Sequence, residues 1–470
     1  MARASLPAAA AAGLLLAGCS LAPRYERPAP PVAREWGAGA GAASGPSTAA
    51  DLGWREVFQD PGLQALVALA LENNRDLRVA ALTVELTRAQ YRIVRADRLP
   101  AAGGVAGATR QHLDADVSPT GSATTRTSYT VGLGATAFEL DLFGRVRSLS
   151  DAALEQFLAT EEARRSVHLS LVAEVAAQYL AIRALDDQVA LARRTLETVE
   201  SSFALTRRTF EAGRTSELDV RTAEAQVHTA RFNLSSARLQ RARAEHALVL
   251  LVGQPLPAEL PAPQPLAAQA VLAELPPGVP SEVLLRRPDI AAAEHALLSA
   301  NAIIGAARAA FFPSISLTAF GGTSSAELSG LFGAGSGLWS FTPQINLPLF
   351  RGGALRASLD AAHVRKSIQI ARYERSIQGA FREVADALVA RTALEEQLEA
   401  QRARVQAEQR RYELSDLRYR KGVDSYLGVL TAQRDLFTAQ QALIQTQLAR
   451  LANLVDLYRA LGGGWRERAG

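Results

Sequence analysis

Two spacings of apolar residues alternate along the chain, and they predict two kinds of element. Between Gly144 and Gly213 there is no proline, and apolar residues recur at steps of three and four. That spacing over several heptads predicts a long coiled-coil helix. The stretch from Gly353 to Gly422 repeats the pattern, and about 69 residues in one helix would extend roughly 100 Å. The seam positions are Ile182, Leu185, Val189, Ala192, Leu196, Val199, Phe203, Thr206 and Phe210, then Ile377, Phe381, Val384, Leu388, Leu394 and Leu398.

Elsewhere the period falls to two, which is typical of strands with one apolar and one polar face. Residues 338–350 and 314–318 alternate in this way, and residues 128–137 do so until the phase slips at Phe138. Such runs suit a lipid-facing barrel with a wet interior, although a soluble half-buried hairpin gives the same pattern. Residues 114–126 and 323–337 are rich in Gly, Ser and Thr, so we expect them to be outward loops.

The strands and long helices occur in the same order twice, which indicates a duplicated architecture. RRTFEAGRTSELDV at 207–220 matches DLRYRKGVDSYLGV at 416–429. We expect repeats at 61–254, with a hairpin at about 101–142, and at 281–463, with a hairpin at about 314–350. A proline-rich linker at 255–280 would join them, and 464–470 would be a tail. Each repeat supplies one hairpin, and four strands cannot close a barrel or leave an edge in lipid, so the chain must oligomerise.

The N-terminus has the layout of a secretory signal. Arg3 precedes an apolar run, and Leu16-Ala17-Gly18-Cys19 has the form of a lipobox. We therefore expect a signal peptide at 1–18, lipidation of Cys19 and a tether at 19–60; an ordinary secreted protein with one cysteine near its cleavage site is the alternative. Ser20 is not aspartate, which favours delivery to the outer membrane. We expect no later apolar run to approach the ~20 residues of a transmembrane helix.

Composition removes several classes of function. The apolar content of 48% with only 6% aromatics suits long Ala- and Leu-rich helices. Basic and acidic residues number 51 and 47 and are scattered, which argues against a nucleic-acid partner. No catalytic motif is found among the six histidines and the single cysteine, so we expect no enzyme, cofactor or metal site. A structural coiled-coil lipoprotein would explain the heptads but not the alternating strands.

Several motifs together resemble those of the TolC-like outer-membrane efflux proteins, in particular the OprM-type (NodT-type) lipoprotein branch. They are CSLAPRYERP from Cys19, ALENNRDLRVAAL from Ala70, FELDLFGRVRS from Phe138, LLRRPDIAAAEHAL from Leu284, YRKGVDSYLGVLTAQR from Tyr419 and ALGGGW from Ala460. The resemblance implies a mainly α protein with a transmembrane β-barrel. In it a homotrimer forms one twelve-stranded barrel that continues into an α-helical periplasmic tunnel.

The same resemblance implies a passive exit duct for drugs or other small toxic compounds. Its partners would be a periplasmic adaptor, an inner-membrane RND-type transporter and outer-membrane lipid. A conduit for metal cations or for type I protein secretion is the alternative. Matching the motif puts a periplasmic gate at Tyr419, Leu427, Thr431 and Arg434, although Thr431, where relatives often have aspartate, could simply lie on the helix surface. Asp424 or Asp219 could supply a nearby acid.

Gly213 and Gly422 are expected to end the two long helices in the left-handed conformation and reverse the chain. Both turns would then lie at one end of the molecule as adaptor-docking tips. The alternative is that these glycines are plain helix caps with no binding role.

Overall fold

The computed structural model describes residues 20–33, 52–261, 264–269, 271 and 286–463. They belong to two compact units. The first unit contains residues 20–29, Thr83–Glu161 and Ala292–Glu374, and the second contains the described parts of Pro30–Leu82, Glu162–Ala291 and Arg375–Gly470.

From the helix that precedes each hairpin onward, the two repeats have the same order of helices and strands, and among the described residues two more helices precede the first. In the first they are α1 (Trp54–Val57), α2 (Pro61–Asn73), α3 (Arg75–Ala96), β1 (Ala102–Leu113), β2 (Thr124–Leu140), α4 (Arg145–Glu211) and α5 (Glu217–Val252). In the second they are α6 (Pro288–Ala309), β3 (Ser314–Ser325), β4 (Gly337–Asn346), α7 (Ala354–Arg420) and α8 (Tyr426–Ala460). Short 3-10 turns lie at Leu266–Ala268 and Leu328–Gly330.

The prediction of two long helices is confirmed, because α4 and α7 have 67 residues each. Up to Phe210 the seam positions are buried or half-buried, and Ile182 and Val199 in α4 and Ile377 and Val384 in α7 are among the buried ones. The pattern fails at its last position, since Phe210 is 40% exposed. This residue lies in the last turn of α4, where the chain is about to reverse.

In the first unit the strands form one antiparallel sheet in the order β1-β2-β3-β4. The central pairing, β2 with β3, joins the hairpin of one repeat to the hairpin of the other. The loops are shorter than expected, because β2 already begins at Thr124 and β3 continues to Ser325. The phase slip at Phe138 is confirmed as a bulge between Ala135 and Phe138. Ala137, expected on the apolar face, instead adopts a φ of 53° within it.

The register gives the sheet two chemically different faces. Directly opposed residues of an antiparallel pair lie on the same face. One face is apolar, with Trp339 opposite Gly321, Phe341 opposite Ala319 and Ile345 opposite Ile315. The other is mainly polar, with Ser316 opposite Gln344 and Thr318 opposite Thr342. Trp339 and Ile345 are 81% and 68% exposed, so the apolar face is uncovered in the single chain.

The core of the second unit collects helices from both repeats. Its buried side chains come from residues 54–70, 171–184, 248–266, 384–388 and 451–461. Trp54 and Phe58 are fully buried there, and the Phe58 ring meets the Tyr458 ring edge-on at 5.7 Å. The expected tether at 19–60 is therefore too long at its end, because these aromatic side chains anchor residues 54–58 in the core.

Each repeat also closes on itself in the second unit. In the first repeat, Asn74 donates its side-chain amide to the Leu251 carbonyl at 2.8 Å and caps α3 through Leu77. In the second, the buried Arg287 donates to the Ala460 carbonyl at 2.8 Å. Arg287 also pairs with Asp289 at 2.8 Å and with Glu383 at 3.0 Å. A neutral amide in one copy thus corresponds to an ion-pair cluster in the other.

Among the described residues, α6 is the helix that is long and apolar enough to cross a membrane by length and composition. The expectation that no later run approaches this length is thus wrong for α6. A core helix meets the same criterion, and Leu297 and Ile304 of α6 are fully buried. Its His295 ring lies 2.7 Å from the Glu155 carboxylate in the first unit.

Candidate functional site

The first turn, residues 211–217, reverses the chain between α4 and α5. Gly213 has a φ of 72°, and its N–H donates to Phe210 while that of Arg214 donates to Thr209. This pair of bonds is a Schellman cap. Ser216 then starts α5, because its hydroxyl accepts from the Asp219 N–H at 3.2 Å and the Asp219 carboxylate accepts from the Ser216 N–H. The first turn is thus fastened by a reciprocal capping box.

The second turn, residues 420–426, has the same backbone. Gly422 has a φ of 73°, its N–H donates to Tyr419, and the N–H of Val423 donates to Arg418. The side chains differ, because Ser425 makes no side-chain cap to α8. Instead the Arg418 guanidinium holds the Asp424 carboxylate through two bonds of 2.5 and 3.0 Å. The hydrogen bond from Arg418 lowers the pKa of Asp424 from its ordinary value.

A small buried cluster in the second unit packs the two return helices together. It contains Ala223 of α5 with Tyr426, Val429 and Leu430 of α8. Phe203, Tyr412 and Tyr419 pack against it. Burial raises the pKa of Tyr426, so its hydroxyl stays neutral at physiological pH.

Three of the four expected gate residues form one stripe on α8, exposed at Leu427 and Arg434 and half-buried at Thr431. Leu427, Thr431 and Arg434 follow one another at helical steps of four and three, which places them on one face. Leu427 is 67% exposed, and the Thr431 hydroxyl donates to the Leu427 carbonyl at 2.9 Å. No carboxylate stands at 431, so the stripe combines an apolar, a hydroxyl and a cationic group.

Tyr419, the fourth expected gate residue, lies apart from this stripe. It occupies the last turn of α7, and its ring centroid is 5.1 Å from that of Tyr426. Its side chain therefore supports the buried cluster in the single chain.

An acid that was not expected lies beside the stripe. The Asp435 carboxylate lies 3.0 Å from Arg411 of α7 and 3.2 Å from Arg434. Hydrogen bonding to Arg411 lowers the pKa of Asp435, so the carboxyl is ionised at neutral pH. The two acids that the sequence did suggest, Asp219 and Asp424, are engaged within their own turns.

No sequence pattern indicates Arg411, because its partner Asp435 is 24 positions away on another helix. Asp435 itself adjoins Arg434 and could have been suspected. Among the described residues, no group of three or more His, Cys, Asp or Glu side chains could hold a metal ion.

Cys19 lies outside the described residues, but the chain that follows it lies along α6 in the first unit. Arg308 donates to the Leu21 carbonyl and Asn301 donates to the Pro23 carbonyl at 2.8 Å. Glu294 accepts two bonds from Arg27, at 2.7 and 2.8 Å. The glycine at 305 permits this approach, because a Cβ there would lie 2.8 Å from the Ala22 nitrogen.

Comparison with known proteins gives one consistent result. The model of the outer membrane efflux protein family matches residues 66–254 and 279–463. The antibiotic efflux pump outer membrane protein ArpC of Pseudomonas putida is 50% identical over 99% of this chain and 97% of its own length. The toluene efflux pump outer membrane protein TtgC of the same species gives the same figures.

Among solved structures, the open state of the Neisseria gonorrhoeae MtrE outer membrane channel is 44% identical. It superposes with a TM-score of 0.88 and covers 95% of this chain and 99% of its own. The matches thus cover nearly the whole of both chains. By sequence and by structure alike, the chain belongs to the outer membrane efflux protein family.

Proposed function

We propose that three copies of this outer-membrane efflux protein close one twelve-stranded barrel above a helical periplasmic tunnel. The observation that carries the proposal is the sheet itself. Within the described residues, β1 and β4 are its two edges and one of its faces is apolar and exposed. An open edge is not tolerated in lipid, so strands of neighbouring chains must complete the barrel.

The mass of the detergent-solubilised protein tests this assembly. Light scattering combined with circular dichroism should give three chains for each particle together with the full β content. A stable monomer that retained the β content would contradict the proposal, since its edges would then be tolerated without partners.

The cargo we propose is a drug or another small toxic compound, because ArpC and TtgC are named for antibiotic and toluene efflux. In a tripartite pump the duct would meet an RND-type inner-membrane transporter through a periplasmic adaptor. We propose the turns at Gly213 and Gly422 as the adaptor-docking tips. Both glycines have open space around them, so partner side chains could approach closely.

For the gate, we propose that the stripe of Leu427, Thr431 and Arg434 narrows the periplasmic aperture, with Tyr419 supporting it. Leu427→Ala should raise the conductance of single trimers in planar bilayers. Leu218→Ala is the matched control, because Leu218 holds the equivalent place in α5 and is 74% exposed. Equal conductance in the two variants would remove Leu427 from the gate.

We also propose that the chain is divided as the sequence predicts, with a signal at 1–18 and a lipid on Cys19. The chain after Cys19 is held along α6, and this supports an anchor attached to the unit that carries the sheet. Cys19→Ala should abolish incorporation of radiolabelled palmitate, whereas Ser20→Ala should retain it. Continued labelling of the Cys19 variant would contradict the lipid anchor.

A further inference from the structure

The polar face of the sheet carries three apolar side chains at one level. Val105, Gly132, Gly322 and Leu338 stand side by side in one row across the four strands. Phe320 occupies the next row, opposite Gly134 and Ser340. Because opposed residues share a face, all of these positions point to the same side as Ser316 and Thr318.

The Phe320 ring lies flat along β2 and fills the gap that the glycines leave. A Cβ at Gly132 would lie 2.6 Å from the Phe320 ring tip, and one at Gly134 would lie 3.3 Å from its Cδ2. The ring therefore reaches from its own row across Gly132. An aromatic side chain that covers glycine in this way fixes the strand register and leaves its outer surface free.

With the ring in place, the apolar surface runs from Val105 across Phe320 to Leu338, that is, from one edge strand of the sheet to the other. We call these three side chains the apolar girdle. In the single chain, the Val105 side chain is 53% exposed, and the side chains of Phe320 and Leu338 are partly buried.

The rows on both sides of the apolar girdle are polar. Toward one end, Thr130 and Ser324 share a hydrogen bond of 3.3 Å. Toward the other end, Thr318 faces Thr342 and Ser316 faces Gln344. A hydroxyl- and amide-lined wall offers hydrogen bonds but no apolar contact, so the girdle is the level where an aromatic ring could shed water.

We propose that the apolar girdle lines the barrel lumen and forms a weak transit site for the aromatic part of an exported compound. This inference rests on the proposed function, in which three sheets close around one lumen and the polar face lines it. The girdle of each chain spans the whole width of its sheet, so three of them would encircle the lumen. A conducting pore needs a site that is favourable enough to enter and weak enough to leave.

Two probe ions that differ by one ring test the site. Benzyltrimethylammonium and tetramethylammonium carry the same charged head, and each is added to the outer side of single trimers in planar bilayers. The charged head is common to both ions, so the contact between the benzyl ring and Phe320 should lower the half-blocking concentration for the benzyl ion about threefold relative to the other. Phe320→Ser should lower the ratio towards one, because it replaces the one aromatic ring of the girdle with a hydroxyl while Val105 and Leu338 remain.

The control is Trp339→Ser, which removes an aromatic side chain from the opposite, apolar face and should leave the ratio unchanged. Phe320→Leu keeps an apolar cover over the glycines but has no ring, so it should give an intermediate ratio. Should Phe320→Ser fail to assemble, the leucine variant still decides, since a ratio equal to the wild type would overturn the proposal.

The two proposals fail in different ways. If both probes block the trimeric pores at the same concentration, the transit site at the girdle is overturned but the trimeric duct is not. A wild-type protein that forms no trimeric pore would overturn both, because the girdle would have no lumen to line.

Discussion

The first turn is fastened by a capping box between Ser216 and Asp219, whereas the second turn is fastened by an ion pair. Both have a left-handed glycine and the same two backbone bonds. In the first turn, Ser216 and Asp219 cap the following helix. In the second turn, Arg418 forms an ion pair with Asp424, and the Ser425 side chain does not cap the helix that follows. The duplicated backbone has thus been kept while the side chains that hold it have diverged.

The same contrast appears where each repeat closes on itself. Asn74 uses a neutral amide to reach Leu251, and Arg287 uses a buried guanidinium to reach Ala460. Backbone geometry tolerates few alternatives, because only certain residues adopt a positive φ without strain. A carbonyl, in contrast, can be satisfied by any donor of suitable reach. Conserved form with altered chemistry is therefore the expected outcome of an old duplication.

The largest effect should come from the closure of the second repeat. Arg287→Ala leaves Asp289, Glu383 and a carbonyl without their shared donor, and we expect it to lower the free energy of unfolding by about 3–5 kcal/mol. Asn74→Ala removes one neutral bond and a cap, which should cost about 1–2 kcal/mol. Urea unfolding in detergent, followed by helical circular dichroism, measures both.

Arg382→Ala is the control for this pair, since Arg382 is in an exposed ion pair and should change the free energy of unfolding by less than about 1 kcal/mol. Equal losses at Arg287 and Asn74 would show that the two closures are energetically alike despite their chemistry.

Substitution of the turn glycines, in contrast, should lower the free energy of unfolding equally in both copies. Gly213→Ala and Gly422→Ala each force a side chain into the left-handed region, at a cost of about 1–2 kcal/mol. Neither glycine has an atom within 4 Å of an added Cβ, so the cost is backbone strain alone. Gly379→Ala, in the interior of α7 with similar open space, should instead stabilise by about 0.5–1 kcal/mol. Thermal unfolding of the three variants would expose any asymmetry between the turns.

Removal of the serine before each return helix should again have a different effect in the two repeats. Ser216→Ala removes a capping hydroxyl and should cost about 1 kcal/mol, whereas Ser425→Ala should cost less than about 0.5 kcal/mol. Hydrogen exchange at the amides that begin α5 and α8 measures the local effect. Faster exchange at the start of α8 in the Ser425 variant would mean that this serine caps after all.

The smallest expected effect is the loss of local stability of the second turn at acid pH. Since Arg418 lowers the folded pKa of Asp424, the ion pair stabilises the second turn fully above the ordinary carboxyl pKa of about 3.9. Its contribution is lost as the pH falls through the lowered value. Exchange of the Val423 amide, corrected for intrinsic rates, should therefore be faster at acid pH than at neutral pH. Asp424→Asn should abolish that difference, and its persistence would exclude the ion pair as the cause.

Much of the fold could be predicted because it depends on local pattern. Heptads locate α4 and α7, and alternation locates the strands down to the slip at Phe138. Contacts between distant residues gave no such signal. No residue near Arg287 in the sequence indicates that its partners are Glu383 and the Ala460 carbonyl. The position of the Phe320 ring over the glycines depends on the strand register, which the alternation of apolar and polar residues does not specify. The packing of Tyr419 against the buried Tyr426 likewise depends on a contact across the second turn, which no local pattern predicts.

The pairing of β2 with β3 has a consequence for biogenesis. Ser128 and Ser324 are 196 residues apart in the chain, yet they share a hydrogen bond at this seam. At ordinary rates of synthesis, about 5–20 residues per second, the first hairpin would wait roughly 10–40 s for its partner strand. Throughout that interval an apolar sheet face and an open edge are exposed to water, and such surfaces aggregate. A protein that covers these surfaces is therefore expected to accompany the chain from its synthesis until its insertion into the membrane.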